Sequence, residues 1–339
     1  MSVSSFAPVT LIGGILKIVD ARTLPGFGLV MGVTSAVSFG TSGPLAKGLI
    51  DSGWSSAAVT AVRLGAGSLL LLVPLILLRR NLFAQWARSP MLVIAYGILG
   101  VAVVQLSFFN AVRYLDVPVA LLIEYSGLIL VVAYDWLIRG RTPTTLTGIG
   151  CVIALAGLVM VIVGGGDIGD IDPVGFVWAV IAGVGLAAYF ILATEDFGTS
   201  GQSVEPLALT TGGLLLGTAV IGIAGALGLL PMAAGTGSTV LADTSVPWWV
   251  VALAIAGIST SLAYVTGVHA VRLLGATPAS FVALIEVLSS AVVSWWLLGQ
   301  TMTVAQLAGA AVLLSGLVAV NMGGRLKTDS QLAARVPVE

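Results

Sequence analysis

Residues 111–115 read AVRYL, and residues 270–274 read AVRLL, 159 positions further along the chain. The same register continues without a gap and pairs tryptophan, threonine and glycine positions of the two segments. The positions that recur are Trp136, Gly140, Thr142, Thr144, Gly150, Gly157 and Gly164, which return as Trp295, Gly299, Thr301, Thr303, Gly309, Gly316 and Gly323. Apolar sequences match by chance, but shared Trp, Arg, Thr and Gly in one register indicate an internal duplication.

The composition places this duplication in a membrane. Of the 339 residues, 58% are hydrophobic and 9% are charged, and the mean hydropathy is +1.10, values outside the soluble range. A helix needs about 20 apolar residues to cross the ~30 Å hydrocarbon core, and the chain offers ten such stretches. We number them spans 1 to 10, at 27–49, 56–78, 91–112, 117–138, 144–164, 173–194, 206–229, 248–270, 277–298 and 303–323.

The distribution of basic residues predicts the orientation. If the N-terminus is cytoplasmic, eleven of the fourteen Lys and Arg residues fall on the inner side. Lys47 and Arg113 then fall outside, and Arg63 lies within a span. The positive-inside rule therefore predicts that both termini are cytoplasmic.

This orientation defines the organisation of the chain. Residues 1–26 are predicted to form a cytoplasmic N-terminal segment, 27–164 and 173–323 two five-helix repeats, and 324–339 a polar C-terminal tail. Because five is odd, the second repeat enters the membrane from the opposite side. The predicted fold is thus an all-α integral membrane protein of ten transmembrane helices in two inverted repeats, an architecture typical of alternating-access transporters.

Several classes of function are excluded or disfavoured. A net charge of -1 provides no basic surface for nucleic acid. One cysteine, Cys151, and one histidine cannot form a disulfide framework or a zinc site, and no Gly-rich loop followed by Lys is present for ATP, so no cofactor or metal is expected. A membrane-embedded enzyme acting on a lipid-linked substrate lacks a catalytic set. A passive channel is disfavoured by the paired charged residues within the spans.

Glu124 in span 4 and Glu286 in span 9 are the glutamates deep within spans. An ionisable group there costs about 2.5–3.5 kcal/mol on insertion scales. In the repeat register Glu286 lies opposite Gly127, so the two carboxylates fall about one turn apart on equivalent helix faces. They either bind a substrate amine, couple transport to protons, or both; alternatively, they hold helices together through hydrogen bonds.

A second set of polar residues accompanies the glutamates. Arg63 in span 2 either pairs with a buried carboxylate, binds a substrate carboxylate, or extends to the outer interface. Gln105 and Tyr264 occupy equivalent repeat positions in spans 3 and 8, and so do Asn110 and His269. Both pairs are candidates for hydrogen-bonding groups along a transport pathway, although polar residues near a span end commonly meet the interface.

Five short motifs carry a resemblance to a known family. They are WLIRGRTP at 136–143, WWLLGQTMT at 295–303, GPLAK at 43–47, AVRL at 61–64 and IEYSG at 123–127. The first two, each followed by a Gly-rich span, resemble the EamA-type members of the drug/metabolite transporter superfamily. The other three are similar to the bacterial threonine and homoserine exporters of that family.

The resemblance implies a multi-pass protein of the cytoplasmic (inner) cell membrane. It implies export or exchange of a small metabolite, an amino acid or related compound being favoured, by a secondary active mechanism of alternating access. Spans 3, 4, 8 and 9 with elements of 1 and 6 would form the cavity. The expected partners are the small-molecule substrate and membrane lipid, with protons as a coupling ion left open, in a monomer or homodimer.

Overall fold

The computed structural model describes residues 25–78, 82–138, 140, 142–164, 171–194, 204–274 and 276–333, nearly all of them helical. Within these ranges, seven helices are long and apolar enough to cross a membrane, and three shorter apolar helices accompany them. Together they coincide with the ten predicted spans. The number of crossings and the side of the termini stay predictions, because basic residues such as Arg22, Arg79 and Arg139 lie outside the described residues.

The first repeat has helices at Pro25–Gly40 and Ser42–Asp51 in span 1, Ser56–Leu78 in span 2, Pro90–Ala95 and Val104–Ala111 in span 3, Val117–Tyr125 and Leu128–Leu137 in span 4, and Thr145–Val163 in span 5, with a short helix Phe83–Arg88 before span 3. The second repeat has helices at Pro173–Thr194 in span 6, Pro206–Ala226 in span 7, Trp248–Ala256 and Ala263–Leu274 in span 8, Ala276–Ala283 and Ile285–Leu298 in span 9, and Val304–Ala333 in span 10. The last helix continues into the segment predicted as a polar tail.

Spans 3 and 8 each contain a π-helical segment, in which the backbone winds more widely than in an α-helix. The segment covers Tyr96–Val103 in span 3 and Gly257–Leu262 in span 8. In the repeat register, residues 98–103 correspond to 257–262, so both halves depart from α-helical geometry at the same place. The shared distortion supports the duplication at the level of the backbone.

Spans 5 and 10 pack against each other through glycines. The glycines at the crossing are the repeat equivalents Gly150 and Gly309, and Gly157 and Gly316. A Cβ added at Gly157 would lie 2.6 Å from the Leu313 Cα, and one added at Gly316 would lie 2.7 Å from the Ala154 Cα. Positions without side chains thus let the two backbones approach closely, as is common between helices in a bilayer.

The outer surface of the bundle is apolar. Leu69, Val152, Leu253 and Val292 are each more than half exposed and come from four different spans. Exposed apolar surface of this extent is expected where lipid chains, rather than water, surround the protein. The buried core draws residues from both repeats, Tyr96 and Tyr264 among them.

The connection between spans 7 and 8 contains a small β-hairpin that no pattern in the sequence predicts. Strands Ser238–Leu241 and Thr244–Pro247 pair antiparallel. The two residues between them, Ala242 and Asp243, have φ angles of +49° and +57°. Two consecutive residues with positive φ are typical of the tight turns that match the twist of a hairpin.

The hairpin packs over the ends of spans 1 and 9. The Thr239 hydroxyl donates a hydrogen bond of 2.5 Å to the carbonyl oxygen of Gly48, and the Ala242 amide donates one of 2.9 Å to that of Leu297. Leu241 is buried in the same contact. The hairpin therefore covers the face of the bundle opposite to the one at which span 1 begins.

Candidate functional site

A cavity lies between the two repeats. It encloses about 600 Å³ of space free of protein atoms, counting the part that opens to solvent. The lining residues are Gly32, Ser35, Ala36, Phe39, Gly100, Val104, Gln105, Glu124, Tyr125, Leu186, Tyr189, Phe190, Tyr264, Gly267, Ala270, Val271, Ala279, Ala283 and Glu286. They belong to spans 1, 3, 4, 6, 8 and 9, the six spans from which the resemblance predicts the cavity.

The cavity extends from the centre of the bundle toward the face at which span 1 begins. In span 1 the lining runs from Gly32 to Phe39, and in span 8 it runs from Tyr264 to Val271. These spans are antiparallel, because Gly32 approaches Ala270 near the end of span 8. Both lining segments therefore lie in the same half of the bundle.

Glu124 occupies the last turn of the helix Val117–Tyr125 and lines the cavity. Its side chain is only 6% exposed, and its Oε2 atom accepts no hydrogen bond from any described residue. Span 6 packs against the backbone at this point, since a Cβ added at Gly183 would lie 2.8 Å from the Glu124 carbonyl oxygen. A buried acceptor without a donor is costly, so this carboxylate is a candidate for binding a ligand or a proton.

Glu286 lies in the first turn of the helix Ile285–Leu298 of span 9 and lines the same cavity. Its Oε2 accepts a hydrogen bond of 2.8 Å from the Tyr125 hydroxyl. Because Tyr125 directly follows Glu124, this bond connects the carboxylate of the second repeat to the residue beside the carboxylate of the first. The structure thus brings the two predicted glutamates to one cavity at the repeat interface.

Gln105 and Tyr264 also meet in the cavity. The Gln105 amide nitrogen donates a hydrogen bond of 3.1 Å to the Tyr264 hydroxyl oxygen. The Tyr264 ring packs edge-on against Phe39, with 4.9 Å between the ring centroids. The equivalence of Gln105 and Tyr264 in the repeat register therefore corresponds to a direct contact.

Arg63 is buried beside the cavity and is not among the residues that line it. Its side chain is 1% exposed, and its three nitrogens donate hydrogen bonds to three different groups. Nε bonds Thr260 Oγ1 at 2.9 Å, Nη2 bonds the Ser259 carbonyl oxygen at 2.8 Å, and Nη1 bonds Ser42 Oγ. We call Arg63, Ser42, Ser259 and Thr260 the arginine cluster. It joins span 2 to span 1 and to the π-helical segment of span 8.

The arginine cluster corrects two expectations for Arg63. A side chain with this little exposure does not extend to the outer interface. No carboxylate of the described residues lies within 4.0 Å of its nitrogens, so it forms no ion pair there. Instead, the guanidinium lies 5.3 Å from the ring centre of Phe109 and 5.9 Å from that of Phe39, within the range of cation–π attraction.

Asn110 and His269 are not among the lining residues. The Asn110 amide nitrogen donates to the Leu106 carbonyl oxygen at 2.9 Å, and His269 Nδ1 lies 2.7 Å from the Val265 carbonyl oxygen. Each side chain thus contacts the backbone of its own helix one turn earlier. The structure does not bring this pair to the cavity.

Sequence reasoning missed part of the aromatic wall. Phe39 and Phe190 line the cavity together with Tyr125, Tyr189 and Tyr264. A membrane phenylalanine carries no signal that separates a cavity wall from a lipid contact, because both surroundings are apolar. The missed Ser35 does carry a signal, since a hydroxyl within a span needs a partner; it donates to the Ala263 carbonyl oxygen at 2.8 Å.

Comparison with known proteins connects this geometry to a family. Residues 26–163 and 173–322 match the EamA-like transporter family, one match for each repeat. The uncharacterized inner membrane transporter YicL of Salmonella typhimurium (strain LT2) is 23% identical over 303 residues, which cover 88% of this chain and 96% of YicL. A solved crystal structure that is 17% identical superposes with a TM-score of 0.63 over 88% of this chain and 98% of that chain, a likeness of fold.

Proposed function

The chain belongs to the EamA-like transporter family, and on this premise we propose that it is a secondary active transporter of an amino acid or a related small metabolite. It exports or exchanges this substrate across the inner cell membrane by alternating access. Protons are the coupling ion, and Glu124 and Glu286 are the groups that bind them. Family membership favours a transporter over the membrane-embedded enzyme.

The observation that carries the proposal is the position of the two carboxylates. Glu124 and Glu286 come from different repeats and line one cavity at the repeat interface. Ionisable residues inside a membrane protein mark substrate and ion pathways, and inverted-repeat transporters bind their substrates between the repeats. Two acidic groups in one cavity suit a substrate that carries an amine.

Alternating access is supported by the asymmetry of the two halves of the bundle. The cavity extends to one side of Gln105 and Tyr264, whereas the arginine cluster and the hairpin occupy the other side. Under the proposal, the arginine cluster closes this second side while substrate enters from the first. The two repeats then exchange conformations, which opens the second side and closes the first.

Proton coupling follows from competition for the same carboxylates. A substrate ammonium and a proton both neutralise Glu124 or Glu286, and a buried carboxylate is far less costly when neutralised. Binding of the substrate therefore displaces a proton, and binding of a proton displaces the substrate. This competition yields exchange of substrate for protons across the membrane.

The test is counterflow of radiolabelled amino acids, threonine and homoserine included, into proteoliposomes. We expect saturable exchange by the wild type, and its loss in Glu124→Gln and Glu286→Gln at matched amounts of folded protein. Glu205→Gln is the matched control, because Glu205 is an exposed carboxylate at the start of span 7 and outside the cavity.

Three results would contradict the proposal. Flux that does not saturate and shows no counterflow would indicate a channel. Formation of a chemically altered product would indicate an enzyme. Exchange that neither glutamate variant affects would return both carboxylates to a structural role.

A further inference from the structure

The cavity is lined by acidic residues and by no basic ones among the described residues. Of the described residues that line it, Glu124 and Glu286 have acidic carboxyl side chains, and none is Lys, Arg or His. Arg63, which lies beside the cavity and does not line it, donates from Nε, Nη1 and Nη2 to Thr260, Ser42 and the Ser259 carbonyl oxygen. A substrate carboxylate would therefore enter a cavity with two acidic side chains and no basic lining group to receive it.

The polar atoms of the cavity residues that lack a hydrogen-bond partner also favour a cationic ligand. Glu124 Oε2 and Gln105 Oε1 are buried acceptors for which the described residues provide no donor. A ligand that satisfies them must donate hydrogen bonds. An ammonium group has three donors and no acceptor, whereas a carboxylate has acceptors alone.

The walls of the cavity suit an organic cation. Five aromatic rings line it: Phe39, Tyr125, Tyr189, Phe190 and Tyr264. Tyr189 stands nearly perpendicular to the two rings beside it in the cavity wall, at 85° to Phe190 and 78° to Tyr264, with ring centroids 5.2 and 6.0 Å apart. Rings in different orientations present both faces and edges to the enclosed space, and ring faces attract ammonium groups.

From these three observations we infer that the cavity selects its substrate as a cation, an ammonium compound that keeps at least one N–H and has no free carboxylate, and disfavours zwitterionic amino acids. This inference rests on the proposed transport by exchange and narrows its substrate class from amino acids and related metabolites to the related amines, with amino acids as weaker substrates. The ammonium lies between the two carboxylates, and the aromatic rings enclose the rest of the molecule. Amides and decarboxylated analogues of amino acids meet this requirement.

The test compares probes that differ in the carboxylate alone. The full-length chain in detergent micelles is titrated with threonine, threonine amide, phenylalanine, phenylalanine amide and phenethylamine, and the melting temperature is recorded. A ligand that binds only the folded state stabilises it by RT ln(1 + c/Kd) at a free ligand concentration c, so the concentration that gives a fixed shift of the melting temperature is proportional to Kd. We expect the amides and phenethylamine to give the same shift at a concentration at least tenfold lower than the parent amino acids.

Two variants at Tyr189 examine the aromatic wall without touching a carboxylate. Tyr189→Phe keeps the ring, so we expect amide binding close to that of the wild type. Tyr189→Leu removes the ring, so we expect the amide concentration that gives the same shift of the melting temperature to rise about threefold or more. Both variants are read against their own melting curves without ligand, which separates a loss of binding from a loss of folding.

The outcomes are distinguishable. The inference is supported if the amides bind more strongly than the amino acids and if Tyr189→Leu binds the amides more weakly than Tyr189→Phe does. If the amino acids bind as well as their amides and undergo counterflow, selection of a cation is wrong and the proposed function stands. If neither class shifts the melting temperature of folded protein and neither undergoes counterflow, both the inference and the proposed amine-bearing substrate are wrong.

Discussion

The side-chain amide nitrogen of Gln105 lies 3.1 Å from the hydroxyl oxygen of Tyr264, its own counterpart in the other repeat, 159 residues away. In the predicted inverted-repeat arrangement a pseudo-two-fold axis relates the two repeats, and equivalent residues touch where this axis passes between them. This hydrogen bond therefore places the axis within the cavity, as the paired glycines of spans 5 and 10 place it at the edge of the bundle. Under the proposed mechanism, the repeats exchange conformations about this line.

The Gln105–Tyr264 hydrogen bond predicts a measurable coupling. In a double-mutant cycle of Gln105→Leu and Tyr264→Phe, unfolding in mixed micelles should give a coupling energy of about 0.6 kcal/mol, with an upper bound of about 1.7 kcal/mol, the range measured between membrane helices. Gln105→Leu combined with Tyr189→Phe is the control and should be additive, because no hydrogen bond joins that pair among the described contacts. A coupling energy of zero for the first pair would contradict the contact.

The arginine cluster predicts that lysine cannot replace Arg63. The Lys ammonium lacks the planar fork that reaches Ser42, Thr260 and the Ser259 carbonyl oxygen together. At least one buried polar group then loses its partner, so we expect Arg63→Lys to lower the free energy of unfolding by about 1–3 kcal/mol. Unfolding of the variant in mixed micelles measures this change, and wild-type stability would show that the three bonds contribute little.

The same cluster predicts a change in access from the hairpin side. Ser259 is fully buried, so a cysteine there, in a Cys151→Ala background, should not react with a membrane-impermeant maleimide. Adding Arg63→Ala removes the group that fills this region, and we expect labelling to appear. Reaction of both proteins after denaturation in SDS is the control for a competent thiol. Equal labelling with and without Arg63 would exclude a closing role for the cluster.

The close crossing of spans 5 and 10 predicts that the stability of the fold depends strongly on the size of the residue at position 157. Leucine at Gly157 would collide with the backbone of Leu313, because an added Cβ already lies 2.6 Å from its Cα. We expect Gly157→Leu to destabilise the fold by about 3 kcal/mol or to abolish it. Gly148→Leu is the matched control from the same helix, since a Cβ there meets nothing within 4 Å. Similar melting temperatures for both variants would contradict the close crossing.

The hairpin turn predicts a stabilising substitution. Ala242 adopts a φ of +49°, a conformation that costs an L-residue with a Cβ roughly 1–2 kcal/mol and costs glycine little. We therefore expect Ala242→Gly to raise the free energy of unfolding by up to about 1 kcal/mol. Ala242→Val should lower it, because a β-branched side chain tolerates positive φ worst. A higher melting temperature for Ala242→Val than for Ala242→Gly would show that residue 242 does not adopt a positive φ.

The repeat register predicted contacts at one pair of positions and not at another. Gln105 and Tyr264 meet in the cavity, whereas Asn110 and His269, five residues later in each span, do not line it. Five residues rotate a helix by about 140° beyond a full turn, so the later pair lies on a different face. The repeat register shows which residues of the two halves are equivalent and how deep they lie in the membrane. It does not show which face of a helix lines the cavity.

Arg63 illustrates a different limit. Its depth within span 2 follows from the sequence, but its partners Ser42 and Thr260 lie 21 and 197 residues away along the chain. Small hydroxyl residues are frequent in membrane helices, and nothing local distinguishes these two from the others. The sequence therefore left three interpretations of Arg63 open, and the packing of spans 1, 2 and 8 showed that it lies inside the bundle.

The order of residues was sufficient to predict the membrane environment, the helical class, the duplication and the two glutamates within predicted spans. Composition, span length, repeat register and the cost of a buried charge are properties of the linear chain, and they do not depend on how helices pack. Packing assigned the rest: the aromatic wall, the bond between Glu286 and Tyr125, the arginine cluster and the β-hairpin. These features arise from contacts between distant segments, because a side chain acquires its partners only when the faces of different helices meet.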